Sequence, residues 1–142
     1  MIHFLVDTNV IFEFVKPQPE RRVIEWLDAA DLASLFASVV TFGELRLGIE
    51  ALPPGNRRRK LEDWMENGLP SWFDSNLLPI TKPIADHWGR LTIAAKKEGL
   101  NLTTADGQIA ATALAHNLTL VTRNTKDFVG LGLALFNPWK SE

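Results

Sequence analysis

Apolar residues fall along this chain in two rhythms, short unbroken runs and longer stretches recurring every third or fourth position. Unbroken runs suit strands buried on both faces, and the slower recurrence suits helices with one covered face. Ile2 to Val6 reads as a first buried strand. Asp7-Thr8-Asn9 then offers cap-type side chains to a short helix through Val15, which Pro17 and Pro19 end. From Glu20 to Ala30, Val23, Ile24, Trp26, Leu27 and Ala30 recur at helical spacing, and Leu35 to Val39 returns as a second strand. Thr41 to Ala51 and Arg57 to Trp72 read as helices, with Leu77 to Ile80 as a third short strand. Pro83 opens a helix running to about Glu98, with Gly99 as its stop. Thr104 to His116 is again helical, Leu118 to Thr122 is rich in strand formers, and Leu133 to Phe136 closes the pattern as an edge strand. Strands alternating with helices predict an α/β fold with a mostly parallel sheet covered on both faces.

Length and composition narrow the classes of function. A chain of 142 residues that is 46% hydrophobic supports one core, and no repeat or linker divides residues 1–142 into more than one domain. With no cysteine, thiolate metal sites, disulfides and cysteine nucleophiles are excluded. His3, His87 and His116 lack metal-ligand spacing. The apolar start ends at Asp7, far short of the roughly 20 residues a membrane span needs, so the chain is expected to be soluble and cytoplasmic without membrane attachment. A formal charge of −2 leaves nucleic-acid contact to local features.

Open parallel sheets carry their sites at the carboxyl ends of the strands. Asp7 directly follows the first strand, Glu44 is expected in the first turn of the helix after the second, and Asp106 in the first turn of another. Asn124 and Asp127 follow the strand ending at Thr122. Carboxylates gathered without bases to match form a cation site, because like charges a few ångströms apart do not all stay ionised unneutralised. Each acid also has a local reading. Thr41-Phe42-Gly43-Glu44 fits a capping box, Asp106 suits a helix N-terminus, and Asp7 and Asp127 suit caps and turns.

Five segments in order carry a resemblance to a known family: Leu5-Val6-Asp7-Thr8-Asn9-Val10, Glu44-Leu45-Arg46-Leu47-Gly48, Asp106-Gly107-Gln108-Ile109-Ala110-Ala111-Thr112-Ala113, Val121-Thr122-Arg123-Asn124 with Asp127-Phe128, and Phe136-Asn137-Pro138-Trp139. Over essentially its whole length the chain resembles the VapC-type PIN-domain ribonucleases, and within them the FitB-like branch. The resemblance implies a three-layer α/β/α sandwich, an acidic pocket holding Mg²⁺ or Mn²⁺, and cleavage of RNA. It further implies a bacterial cytoplasmic toxin neutralised by a cognate antitoxin, DNA contacted only through that antitoxin, and a homodimer.

Within that frame Asp7 and Asp106 are the expected metal ligands, since Mg²⁺ takes one or two carboxylates and keeps several waters. Glu44 is expected to position a metal-bound water or bind through one. Thr8, Asn9 and Thr122 are expected to orient the acids. Many relatives carry an aspartate where this chain has Asn124, which weakens a second metal unless Asp127 supplies the charge. Arg46 and Arg123 are the expected RNA or antitoxin contacts. The run Arg57-Arg58-Arg59-Lys60 is followed by Glu62, Asp63 and Glu66 and reads as a solvated helix face. The five tryptophans read as core and dimer interface. Of the rival readings, a dehalogenase-like phosphotransferase wants an aspartate at Asn9, and a PIN-fold binding or regulatory module would have no use for all three acids.

Overall fold

The computed structural model describes residues 1–140. Five strands, β1 (Phe4–Val6), β2 (Leu35–Ser38), β3 (Leu77–Leu78), β4 (Thr119–Val121) and β5 (Leu135–Phe136), form one parallel sheet in the order β3-β2-β1-β4-β5. Between them run α1 (Thr8–Glu13), α2 (Arg21–Ala29), α3 (Val39–Glu50), α4 (Asn56–Asp63), α5 (Pro70–Phe73), α6 (Lys82–Lys97) and α7 (Thr104–Ala115). The two-residue period of the strands divides the core. Val6, Leu35, Ala37 and Val121 face one side, packing with Val10, Val23, Leu45 and Leu61 of α1 to α4. Leu5 and Leu120 face the other, against Ile109, Ala110 and Ala113 of α7, with Leu91 of α6 alongside. This is the expected α/β/α sandwich, and runs apolar at every position are what a sheet buried on both faces requires.

The differences from the expected boundaries have local causes. Strand β1 begins at Phe4 because Met1 and Ile2 extend past the sheet into solvent, although the His3 carbonyl still accepts from Thr119 N–H at 3.0 Å. Strand β3 stops at Leu78, before Pro79, which has no N–H to give the ladder. The single helix expected from Arg57 to Trp72 is interrupted by a π-helical turn over Trp64–Gly68. Pro70 explains it: a proline ring clashes with the carbonyl four residues back, and here Leu69 N–H reaches five residues back to Trp64 O at 2.8 Å. Helix α6 ends where expected, with Gly99 left-handed at φ 83° and Leu100 N–H closing onto Ala95 O at 2.9 Å.

Helix α3 carries the correction that bears on function. It starts at Val39, capped by the Ser38 hydroxyl, which accepts from Val40 N–H at 3.0 Å. Thr41 is therefore inside the helix, buried, with its hydroxyl unpartnered, so there is no capping box and Glu44 lies in the second turn instead of the first. Among the described residues no helix is long and apolar enough to cross a membrane.

Candidate active site

Asp7 occupies the junction where β1 becomes α1. Its extended backbone (φ −75°, ψ 161°) makes it the helix cap, with Oδ1 accepting from Thr8 N–H at 2.8 Å. Its other oxygen accepts from the Thr122 hydroxyl at 2.8 Å, so both carboxylate oxygens are fixed. Thr122 follows β4, the neighbour of β1, which is why two residues so distant in sequence meet. The Thr122 oxygen in turn accepts from Asn124 N–H at 3.2 Å and Asn9 Nδ2 at 3.4 Å. Asn9 Oδ1 accepts from Arg123 N–H at 3.3 Å, tying the two loops together.

Glu44 reaches the same place from α3, where the Thr8 hydroxyl donates to its Oε1 at 2.6 Å. Thr8 thus orients two acids, one through its backbone and one through its side chain. Asp106 comes from the first turn of α7, with its N–H donating to the Thr103 hydroxyl at 3.1 Å. The next residue, Gly107, is buried, and a Cβ there would lie 2.7 Å from Trp88 Cδ1. Only glycine lets α7 approach α6 so closely beside Asp106. Sequence reasoning missed this pair, because a lone glycine in a helical pattern does not reveal what lies across from it.

Asp7, Thr8, Asn9, Phe12, Glu44, Leu45, Gly48, Asp106 and Asn124 line one open cavity of about 330 Å³ at the carboxyl ends of the strands. No basic side chain lines it, and the acids bear the cost. Burial, with Asp106 and Glu44 adding repulsion, pushes the Asp7 carboxyl up to about 6 against the hydrogen bonds from Thr122 and Thr8. Asp106 is also held above the usual carboxylate range, by burial first and then by Glu44 and Asp127, with Thr103 opposing.

The other expected site residues lie outside the lining. Thr122 is buried behind Asp7. Asp127 is exposed in the turn after β4, near enough to act on the charge of Asp106. Arg46 points its guanidinium to Glu66 and Glu50. Arg123 lies over the Trp139 ring at 5.1 Å, and its carbonyl accepts from Asn137 Nδ2 at 3.2 Å.

The donor set suits a hard divalent cation. It is all oxygen, anionic and uncompensated by any base. Among the described residues no three acidic or histidine side chains stand close enough to share one ion. Mg²⁺ needs no such cage, since it keeps most of its waters and takes one or two carboxylates directly.

The PIN-domain profile matches residues 4–130 of this chain. The toxin FitB of Neisseria gonorrhoeae is 41% identical over 135 residues, covering 95% of this chain and 97% of that protein. The VapC ribonuclease Y4jK of Sinorhizobium fredii is 38% identical over 136 residues, covering 96% and 97%. A solved structure of FitAB bound to an IR36 DNA fragment superposes with a TM-score of 0.92 at 40% identity, over 98% of this chain and 97% of that one.

Proposed function

Because the chain belongs to the PIN-domain family, we propose that it is a Mg²⁺-dependent endoribonuclease, with Mn²⁺ able to substitute, and the toxic member of a type II toxin–antitoxin pair. The observation that carries this reading is the convergence of Asp7, Glu44 and Asp106 on one all-oxygen cavity without a base. Relatives named as toxin and as ribonuclease, and a neighbour solved as FitAB on DNA, support the biological role. The cognate antitoxin is the expected protein partner and DNA the indirect one, in the bacterial cytoplasm.

A bound divalent ion supplies charge relief at the scissile phosphate and an activated water. The chain's own groups do the rest. Asp7, fixed by Thr8 N–H and the Thr122 hydroxyl, presents its carboxylate without rotational freedom. Asp106, lining the same cavity from α7, would be the second ligand. Glu44, steered by the Thr8 hydroxyl, orients the attacking water. Asn124 lines the cavity as a neutral oxygen donor and adds no charge.

The test is cleavage of single-stranded and structured RNA by the purified chain in Mg²⁺ or Mn²⁺, and after chelation. Cleavage abolished by the chelator and restored by metal is the expected result. Cleavage unaffected by the chelator, or no cleavage of any RNA by a folded, metal-loaded chain free of antitoxin, overturns the reading.

A further inference from the structure

No basic side chain lines the acid cavity, so beyond what a bound cation would supply at the scissile phosphate, the chain's grip on RNA has to come from elsewhere. A second cavity of about 360 Å³ is lined by Val15, Arg57, Lys60, Leu61 and Trp64. Arg57, Lys60 and Trp64 follow one another at three and four residues along α4 and the turn after it, and so share a face. The charges around them are sorted. Arg58 is held by Glu50 at 2.8 Å and Glu62 at 3.4 Å, Glu66 is taken by Arg46, and Asp63 accepts from Asn67 at 2.7 Å. Arg59 bonds Asn56. Among the described residues, Arg57 and Lys60 take part in no salt bridge and no side-chain hydrogen bond, and both are exposed. The run is the expected solvated face of mixed charge, but within it only Arg58 is paired with acids, and among the described residues Arg57 and Lys60 have no salt-bridge partner.

Helix α1 joins this cavity to the first. Thr8, Phe12 and Val15 recur at helical spacing along α1 and the turn that continues it. Thr8 and Phe12 line the acid cavity and Val15 lines the basic one. Seven residues at the helical rise separate the two by roughly 10 Å, a few nucleotides of extended chain.

We infer that the Arg57–Lys60–Trp64 cavity is an anchoring subsite for the single-stranded part of the RNA substrate. Arg57 and Lys60 take phosphate oxygens, and the Trp64 indole stacks a base. Phosphate charge and an aromatic face are the two features every nucleotide shares, so this grip is independent of sequence. An acidic peptide would answer the charge alone. The continuity with the acid cavity along α1 favours RNA. This inference rests on the ribonuclease reading.

The experiment measures binding of a labelled 12-nucleotide single-stranded RNA against KCl concentration at fixed Mg²⁺. It uses the chain carrying Asp7→Asn to prevent turnover, with and without Arg57→Gln plus Lys60→Gln. Each lost phosphate contact lowers the slope of log affinity against log salt by about 0.7, so the double charge variant is expected to lose about 1.4, and about 10-fold in affinity at low salt. Arg21→Gln plus Lys82→Gln, which removes two distant cations, serves as the control and leaves the slope alone. Trp64→Leu is expected to weaken binding at least fivefold without changing the slope. Since Trp64 also packs against Trp72, the charge pair decides should that variant misfold. An unchanged slope in the charge variant overturns the anchor while leaving the ribonuclease reading intact. A loss confined to acidic peptides, with RNA unaffected, overturns it in favour of a peptide site. A chain that neither binds nor cuts any RNA overturns both.

Discussion

Helix α1 carries a buried acid at each end, and the two are governed by opposite surroundings. Asp7 and Glu13 are 5% and 4% exposed. Burial, with Asp106 and Glu44 adding repulsion, makes Asp7 hold its proton more tightly than in water. Burial also works against the charge of Glu13. There, however, Glu20 N–H donates to Oε2 at 2.7 Å, and Lys16 stands 3.0 Å from Oε1, out of line for a hydrogen bond but near enough to attract. With Arg123 adding its field, these hold the Glu13 carboxyl below the usual range. The same residue chemistry is thus a strained charge at one end and a satisfied one at the other. Strain without local relief is what the proposed metal site rests on, whereas relief within the chain leaves Glu13 a part of the architecture.

The sharpest way to break this contrast is activity. Asp7→Asn should lower RNA cleavage by about 10²-fold or more, the usual cost of removing one group that stabilises transition-state charge, and Glu44→Gln and Asp106→Asn should do the same. Because groups around one ion act as a unit, double variants should be scarcely worse than singles. Glu13→Gln should leave the specific rate of the folded fraction within a few-fold of the parent. Initial rates normalised to folded protein decide it, and a 10²-fold loss in Glu13→Gln would erase the distinction.

Stability should separate the pair in the other direction. Saturating Mg²⁺, at about 100 times its Kd, should stabilise the parent by about 2.7 kcal/mol through binding only the folded state, and should stabilise Asp7→Asn far less. Glu13→Gln should cost about 1 kcal/mol or less, since the amide oxygen can still accept from Glu20 N–H and the lost attraction is to Lys16, whose side chain is partly in solvent. Denaturant melts with and without metal give both numbers.

The pH dependence carries the signs. The Asp7 value near 6 lies above the ordinary 3.8, so ionising it subtracts stability as pH rises from about 4, and the loss is complete above about 6. The full penalty is on the order of 3 kcal/mol. Asp7→Asn exchanges one acceptor for a donor facing Thr122, so its net gain in metal-free protein at pH 7 should be only about 1 kcal/mol, and it should turn into a loss below pH 4, where the parent no longer carries the penalty. Glu13 ionises more readily folded than unfolded, so its stabilisation is complete above its ordinary 4.5 and is lost as pH falls through the lowered value. Thermal melts from pH 3 to 8 should show the two variants diverging from the parent in opposite directions toward neutral pH, Asp7→Asn melting above it and Glu13→Gln below it.

The smallest expected effect is at Asn124. Asn124→Asp adds a fourth acid beside Asp7, which should tighten divalent binding several-fold while lowering metal-free stability by a few tenths of a kcal/mol. Calorimetric titration reads the first. An unchanged affinity would put position 124 outside direct contact with the ion and leave Asp127 as the further acid.

Much of this molecule was legible in the sequence because its signals are local. Runs such as Leu118 to Thr122 mark strands buried on both faces, Gly99 marks a helix end, Asp7 and Glu44 follow the first two strands, where parallel sheets collect their sites, and Asp106 lies in the first turn of a helix. Those features depend on backbone conformation and side-chain period, which neighbouring residues set. What stayed hidden depends on contacts between distant segments. The start of α3 at Val39 follows from the Ser38 cap and removed the capping box at Thr41. The π-helical turn before Pro70 changes which residues share a face. Glu13 gave only the signal of a lone acid within the apolar stretch from Val10 to Val15, and its satisfaction by Glu20 and Lys16 needed the chain to turn back at Pro17. Sequence determined which groups were available and roughly where along the sheet each would emerge. Tertiary structure alone decided which charges would be neutralised, because burial and the distance between charges are set by packing.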